Sequence, residues 1–398
     1  MQLKRDGVAT LLLLAMAVAG ADETPLATIQ IEKMATMTEE AVRVENFRHI
    51  ERIFPVKTVH RAGAPFQFKS APQDVLQVPY TWNGVESTAG AFLEKTVTTN
   101  FLVVKNDAIA AEHYFLGNDA QSKATSMSVA KSFTSALIGI AIAEGHIKSV
   151  NDPVDQYVPE LAASGYKGVP IKHLLQMSSG IKFSEVYDDQ TSDIITMLMQ
   201  CGMGVSIVDY AAGLQAEKPS GKEFNYASID TNVLGMVLER ATGVSPAVYL
   251  EEKIWKPLGM ESDAHWGTDN HGNVLTFAWL NVTARDYAKF GRLYLNQGNW
   301  DGRIIVPPAW VHASLKPDQE YLKLKDHLEP GWDIGYQYQW WAPAGTQGEF
   351  TGIGVWGQYL YVNPALDVII VKNSVDPDFD TRDRETVAVF RAVAHHLK

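Results

Sequence analysis

Ser128-Val-Ala-Lys131-Ser-Phe133-Thr-Ser-Ala-Leu-Ile-Gly-Ile140-Ala-Ile-Ala-Glu144-Gly145 is the most informative run of the chain. Val129, Phe133, Ala136, Leu137, Ile140 and Ala141 recur at helical spacing, Ile138 and Ile142 make the opposite side apolar too, and Gly145 stops the helix. A helix that is apolar nearly all round belongs in the interior. Lys131 is then a charge near the start of a buried helix with no obvious partner, a costly placement. Residues three apart on a helix are neighbours, about 5–6 Å between Cβ atoms, so the Ser128 hydroxyl and the Lys131 amine can meet. The serine lies in the first turn, where unpaired N–H groups and the positive end of the helix dipole favour developing negative charge. Burial and the dipole both disfavour an ammonium, and a neutral lysine beside a hydroxyl is a general base. A second Ser-x-x-Lys, Ser164-Gly-Tyr-Lys167, contains a glycine and falls in a loop.

Strand patterns flank a helical middle. Asn100–Lys105 and Ala108–Phe115, joined by Asn106-Asp107, read as a hairpin, and Gln358–Val362 and Val368–Asn373 as late strands. Helical patterns fill Ile171–Met177, Asp193–Cys201, Ile229–Thr242 and Pro246–Trp255. Thr283 and Asp286 start another helix, Ala284–Asn296, and a last one spans about Thr381–Leu397. One sheet built from the two ends of the domain is expected, with a helical subdomain at about 153–262 inserted. Residues 22–88 read as an N-terminal extension, with a charged helical stretch near Thr38–Phe54.

Two more segments carry chemistry. Tyr226-Ala227-Ser228 precedes the helix Ile229–Thr242 and places a phenol and a hydroxyl at a helix start. A positive charge nearby favours the phenolate, so Tyr226 is expected to lose its proton readily and relay one to a leaving group. Phe350-Thr351-Gly352-Ile353-Gly354 reads as an edge strand whose glycines permit close approach of a ligand or backbone. Such a strand offers a second oxyanion N–H beside that of Ser128. Tyr187, Trp340 and Trp341 are candidates for the walls. The chain has no Gly-x-Ser-x-Gly elbow, no His-Glu-x-x-His and no Walker loop.

Ser-Val-Ala-Lys, Tyr-Ala-Ser and the late Thr-Gly strand stand in the order seen in penicillin-recognising serine hydrolases. Leu174-Leu-Gln-Met-Ser-Ser-Gly180, Pro257-Leu-Gly-Met260 and Thr283-Ala-Arg-Asp-Tyr287 match as well. The chain resembles the class C β-lactamase-related branch, above all 6-aminohexanoate-dimer hydrolase-like proteins and family VIII carboxylesterases. Gly335-Tyr-Gln-Tyr-Gln-Trp-Trp341 and Gly357-Gln-Tyr-Leu-Tyr-Val362 are similar to features of the dimer-hydrolase side. The resemblance spans roughly residues 90–395. It implies an α/β (α+β) fold of the β-lactamase/transpeptidase type, an antiparallel sheet flanked by helices over residues 89–398. It also implies Ser128 as nucleophile, Lys131 as base, Tyr226 as proton shuttle and no metal or other cofactor. Ser228, Gly352, Ile353, Gly354, Tyr187 and Trp341 become oxyanion or substrate contacts.

The substrate implied is a small carboxylic ester or linear amide. Relatives that act on penicillins carry Lys-Thr-Gly, whereas Phe350, or Glu349 one position earlier, stands here; an anion-binding lysine is missing and a like charge takes its place if Glu349 is the match. Tyr-Ala-Ser in place of Tyr-x-Asn points the same way. The alternatives are a β-lactamase or D-alanyl-D-alanine carboxypeptidase and, from another class, a non-catalytic penicilloyl-type sensor.

Composition agrees with that picture. The 398 residues are 46% hydrophobic with a net charge of −12, so no nucleic-acid-binding surface is expected. One cysteine, Cys201, excludes an internal disulfide and a thiolate zinc site. No apolar run is long enough for a membrane span. Lys4 and Arg5 before the apolar run Val8–Ala19, with Ala19-Gly20-Ala21, read as a signal peptide cut after Ala21, hence an exported bacterial protein, periplasmic or secreted.

Overall fold

The computed structural model describes residues 32–34, 36–324, 334–345 and 347–398; the signal-peptide reading lies outside the described residues. Its centre is a nine-stranded sheet. In chain order the strands are β1 (Lys69–Ser70), β2 (Thr98–Lys105), β3 (Ala108–Tyr114), β4 (Lys323–Leu324), β5 (Ile334–Gln337), β6 (Trp340–Pro343), β7 (Phe350–Gly354), β8 (Gln358–Asn363) and β9 (Val368–Ser374). They lie in the order β4-β5-β6-β7-β8-β9-β2-β3-β1. Only β1 runs parallel to its neighbour. The β9–β2 pairing, with Val368 opposite Lys105, joins the two ends of the domain into one sheet. Both strands are buried along nearly their whole length because helices cover both faces, and the continuous apolar runs Phe101–Val104 and Val368–Val371 fill their middle without polar alternation.

On one face lie α1 (Ala130–Ala143) and, later in the chain, the helix Ala284–Leu295. Phe133 of α1 stacks on Phe290 with ring centroids 3.7 Å apart. Gly291 lets the second helix touch the sheet: a Cβ there would lie 2.8 Å from Ile369 Cγ2. The C-terminal helix Asp383–His396 covers the opposite face, with Phe390 against Tyr359 and Tyr361. Between Thr125 and Ala264 no strand occurs; this part holds α1, α2 (Ile171–Leu175), α3 (Asp193–Gly202) and α4 (Ser228–Thr242), among other helices. A second sheet of four short strands, in the order Val56–Val59, Ala264–Gly267, Leu280–Thr283 and Lys123–Thr125, closes the base of this helical part. The segment read as an extension therefore enters the structure through its strand Val56–Val59, and Phe47, Ile50, Ile53 and Phe54 join the main core. Among the described residues no helix is long and apolar enough to cross a membrane.

The strand Phe350–Gly354, expected at an edge, is internal. Its pairing with β6, however, is confined to Trp341 opposite Thr351, while β8 pairs with all five of its residues. The cause is the β5–β6 turn. Tyr338 and Gln339 both have positive φ there, +40° and +67°, and the chain reverses before it can reach Gly352. Gln339 tolerates this because its side chain accepts from Thr231 Oγ1 (2.8 Å) and donates to the Leu174 carbonyl (2.9 Å), which ties the hairpin to α2 and α4. Half of an internal strand is thereby left open towards the helical part.

Truncating Phe133 to alanine removes the stacked ring that joins α1 to its neighbour. The expected cost is about 3–5 kcal/mol, read as a lowered midpoint in chemical denaturation.

Candidate active site

The open half of β7, the start of α1 and the start of α4 meet at one place. Met127–Val129 form a 3₁₀ turn ahead of α1, so Ser128 precedes the α-helix proper instead of opening it. Met127 carries φ +42°, a left-handed conformation unusual for a side chain of its size. Ser126 holds the turn: its N–H donates to the Leu280 carbonyl (2.9 Å), and its Oγ accepts from the Leu280 N–H (3.0 Å). The result projects Ser128, half-buried, from a sharp strand-to-helix bend. Gly354 is what lets β7 lie against that bend, since a Cβ there would fall 2.6 Å from the Ser126 carbonyl oxygen and 3.0 Å from the Ser128 nitrogen. Gly352 likewise lies against Val129 and Ser132. Ile353, between them, projects to the opposite face of the strand, by simple alternation.

Lys131 is 1% exposed. Its Nζ lies 2.9 Å from Ser128 Oγ, 2.9 Å from Ser228 Oγ and 3.0 Å from the Phe277 carbonyl oxygen. That carbonyl is fixed by its neighbour Thr276, which is hydrogen-bonded to Thr134 of α1 and to Thr231 and Asn232 of α4. Burial pulls the Lys131 ammonium down to about 8, and the negative charge of Glu185 works against that fall. The three contacts are not equivalent. Phe277 offers only a carbonyl, and Ser228 commits its hydroxyl hydrogen to Glu185 Oε1 at 2.6 Å, so both can only accept from Lys131. Two amine hydrogens are thus assigned, and the remaining position, a hydrogen or a lone pair, faces Ser128.

Tyr226 stands over this amine, its ring centroid 5.1 Å from Nζ and its hydroxyl interacting with Ser128. The expectation of an easily formed phenolate is overturned. Burial, reinforced by Glu185, raises the Tyr226 pKa, and the Ser128 contact offsets this only in part. The group is a neutral phenol that holds its proton. Trp341 stacks on it at 5.8 Å with an interplanar angle of 20°, and Phe224 and Tyr336 complete an aromatic wall. Tyr187 faces the same space; its residue is 39% exposed, yet its hydroxyl reaches Glu185 Oε1 at 2.5 Å and interacts with Ser128.

Several expectations are corrected. Ser228 is 2% exposed and engaged with Lys131 and Glu185, so it is a bridge inside the site and not a substrate contact. Trp340 points away into the core, against Tyr294 and Phe350. Glu349 places no like charge in the site: it lies on the other face of the sheet, paired with Arg391 and Tyr361. Phe350 is buried, so neither candidate for the missing lysine faces the site. The Ser164 hydroxyl donates to the Leu161 carbonyl (2.8 Å) and accepts from the Tyr166 N–H (3.1 Å), so it is committed to its own loop. Cys201 is buried and its thiol is pushed up to about 12. Sequence reasoning passed over Glu185, although it lies two residues from Tyr187, and over Tyr336 within a quoted aromatic run. The Phe277 carbonyl belongs to the main chain and leaves no mark in the sequence.

With this geometry in place, comparison with known proteins is direct. A family model described as Beta-lactamase matches residues 85–392. The chain is 33% identical over 298 residues to the 6-aminohexanoate-dimer hydrolase of Paenarthrobacter ureafaciens, covering 73% of this chain and 76% of that protein. This chain belongs to the beta-lactamase family of serine hydrolases. A solved structure of a candidate 6-aminohexanoate-dimer hydrolase from Bacillus anthracis is similar with a TM-score of 0.77 and 26% identity, covering 91% of this chain and 96% of that one. A family VIII carboxylesterase shares the fold, with a TM-score of 0.60 at 18% identity over 78% of this chain and 95% of that one.

Labelling of Ser128 by a fluorophosphonate should rise with pH along a limb centred near 8, because Lys131 accepts a proton only as the free amine. Lys131→Ala should slow labelling by about 10²–10⁴-fold. Mass mapping of the labelled peptide over a pH series checks both.

Proposed function

We propose that this enzyme hydrolyses small carboxylic esters or linear amides through an acyl intermediate on Ser128. The carrying observation is the amine of Lys131: two of its hydrogens are assigned to pure acceptors, and its third position is 2.9 Å from the Ser128 hydroxyl. As the free amine it takes the Ser128 proton while Oγ attacks the carbonyl carbon. The oxyanion forms beside the N–H of Ser128 and the open backbone of β7, for which the Ile353 N–H is the proposed second donor. A protonated Tyr226 is suited to give its proton to the leaving oxygen or nitrogen and to regain one from the Lys131 ammonium. Water then attacks the ester carbonyl of the acyl-serine, yields its proton through the same pair, and releases the acid with Ser128 restored.

The substrate class draws on three supports. The Paenarthrobacter relative is named as a hydrolase of 6-aminohexanoate dimer, a molecule whose halves are joined by one linear amide. The wall of Tyr226, Trp341, Phe224 and Tyr336 favours apolar chain over charge. No cation stands at position 350, where a ring carboxylate would need one. A panel of short p-nitrophenyl esters, a linear amide dimer and a chromogenic cephalosporin tests this reading. Wild type should turn over the esters or the dimer, and Ser128→Ala should lose at least about a thousandfold. Turnover surviving in Ser128→Ala sinks the mechanism; cephalosporin as the best substrate replaces it with the lactamase reading.

Export belongs to the same proposal, supported by Lys4-Arg5, the run Val8–Ala19 and Ala19-Gly20-Ala21. Protein recovered from the periplasm or medium should begin at Asp22, as read by intact mass.

A further inference from the structure

We propose that Glu185 is a positioning residue that acts through Ser228 to keep the lone pair of Lys131 directed at Ser128, an inference that rests on the acyl-serine reading. Glu185 lies in the loop between Phe183 and α3, a loop that is tied down at three points. The Ser184 N–H donates to Asp193 Oδ2 (2.7 Å), the Ile194 N–H to the Ser184 carbonyl (3.1 Å), and Asn225 Nδ2 to the Phe183 carbonyl (3.1 Å). The carboxylate then grips Ser228 twice. Oε2 accepts from the Ser228 N–H at 2.5 Å and Oε1 from its hydroxyl at 2.6 Å, while Oε1 also accepts from the Tyr187 hydroxyl at 2.5 Å. Ser228 is the first residue of α4, a 15-residue helix, so the charge also faces the positive end of that helix.

This grip fixes the direction of a hydrogen-bond chain. A serine hydroxyl has one hydrogen and can point it either way. With Glu185 present, the hydrogen goes to the carboxylate and Ser228 Oγ accepts from Lys131. Without that acceptor, the same hydroxyl is free to donate into the Lys131 lone pair, which would occupy the base needed by Ser128. The surroundings leave Glu185 as the charge that matters to this amine. Tyr187 on its own loop, Tyr226 ahead of α4 and Tyr336 on β5 are all raised by burial and stay neutral. Asp230 of α4 is pushed up to about 7 by burial and shares its Oδ1 with the Tyr166 hydroxyl at 2.8 Å.

The test is the pH dependence of fluorophosphonate labelling at Ser128 in the full chain, which needs no knowledge of the natural substrate. Glu185→Gln keeps size but removes the charge and one acceptor. Its labelling plateau should fall at least tenfold, and its limb should move about one unit to lower pH, because a negative charge close to an ammonium raises that group's pKa. Glu185→Asp retains the charge and should keep the limb at the wild-type position. Ser228→Ala breaks the chain but leaves the charge, so the plateau should fall at least tenfold with the limb shifted by a few tenths at most. A Glu185→Gln protein that melts like wild type with its limb unmoved overturns the inference. If that variant does not fold, Ser228→Ala decides, and a wild-type plateau there overturns it. Failure of the wild type itself to label at Ser128 would instead refute the acyl-serine reading, and this inference would fall with it.

Discussion

The Lys131 amine is enclosed by protein and touches three oxygens, one from its own helix turn, one from the start of α4 and one from the main chain at Phe277. An amine removed from water loses several kcal/mol of hydration, so its hydrogen bonds have to be supplied by structure that is already in place. Much of the architecture around the site serves that requirement. Thr134, Thr231 and Asn232 hold the loop that presents the Phe277 carbonyl, and Gly235 of α4 leaves room for Thr276 to approach. The same loop continues into Leu280, which pins Ser126 and through it the strained turn bearing Ser128. Loss of any one of these ties would disturb the amine and the nucleophile together.

The sheet contributes by what it leaves unpaired. A hairpin that reverses two residues early keeps Gly352–Gly354 open while β8 holds the strand straight from behind. The site is therefore flanked by a rigid backbone ladder on one side and by aromatic side chains on the other. Tyr336 and Trp341 of that aromatic wall stand on the hairpin whose turn is fixed by Gln339, so wall and ladder are set by one local feature.

Much of this was legible in the sequence for identifiable reasons. The all-round apolar helix after Ser128 could only be buried, and Phe133, Ala136, Leu137 and Ile140 are buried as the spacing requires. The hairpin at Asn106-Asp107 and the late strands followed from β-branched runs, and their meeting as neighbours follows from the closure of one sheet. What escaped depends on contacts between distant segments. The internal position of β7 is set by β5 and β6, whose short aromatic run does not announce which strand it pairs with. The neutrality of Tyr226 reflects burial and the charge of Glu185, 41 positions away in the chain. Glu349 and Trp340 were misplaced because one step along a strand turns a side chain to the opposite face, and only the register decides which.

Gly354 carries a consequence for how this enzyme can change. Strand and nucleophile turn touch there backbone to backbone, with no side chain between them to be lengthened, shortened or repacked. Variation at that contact would push directly on Ser126 and Ser128, so the ladder side of the site is closed to adaptation. The opposite side is built from Phe224, Tyr336 and Trp341, whose rings pack against one another. New substrate ranges, whether reached by evolution or by engineering, therefore have to be written in those rings, with the chemistry left untouched behind them.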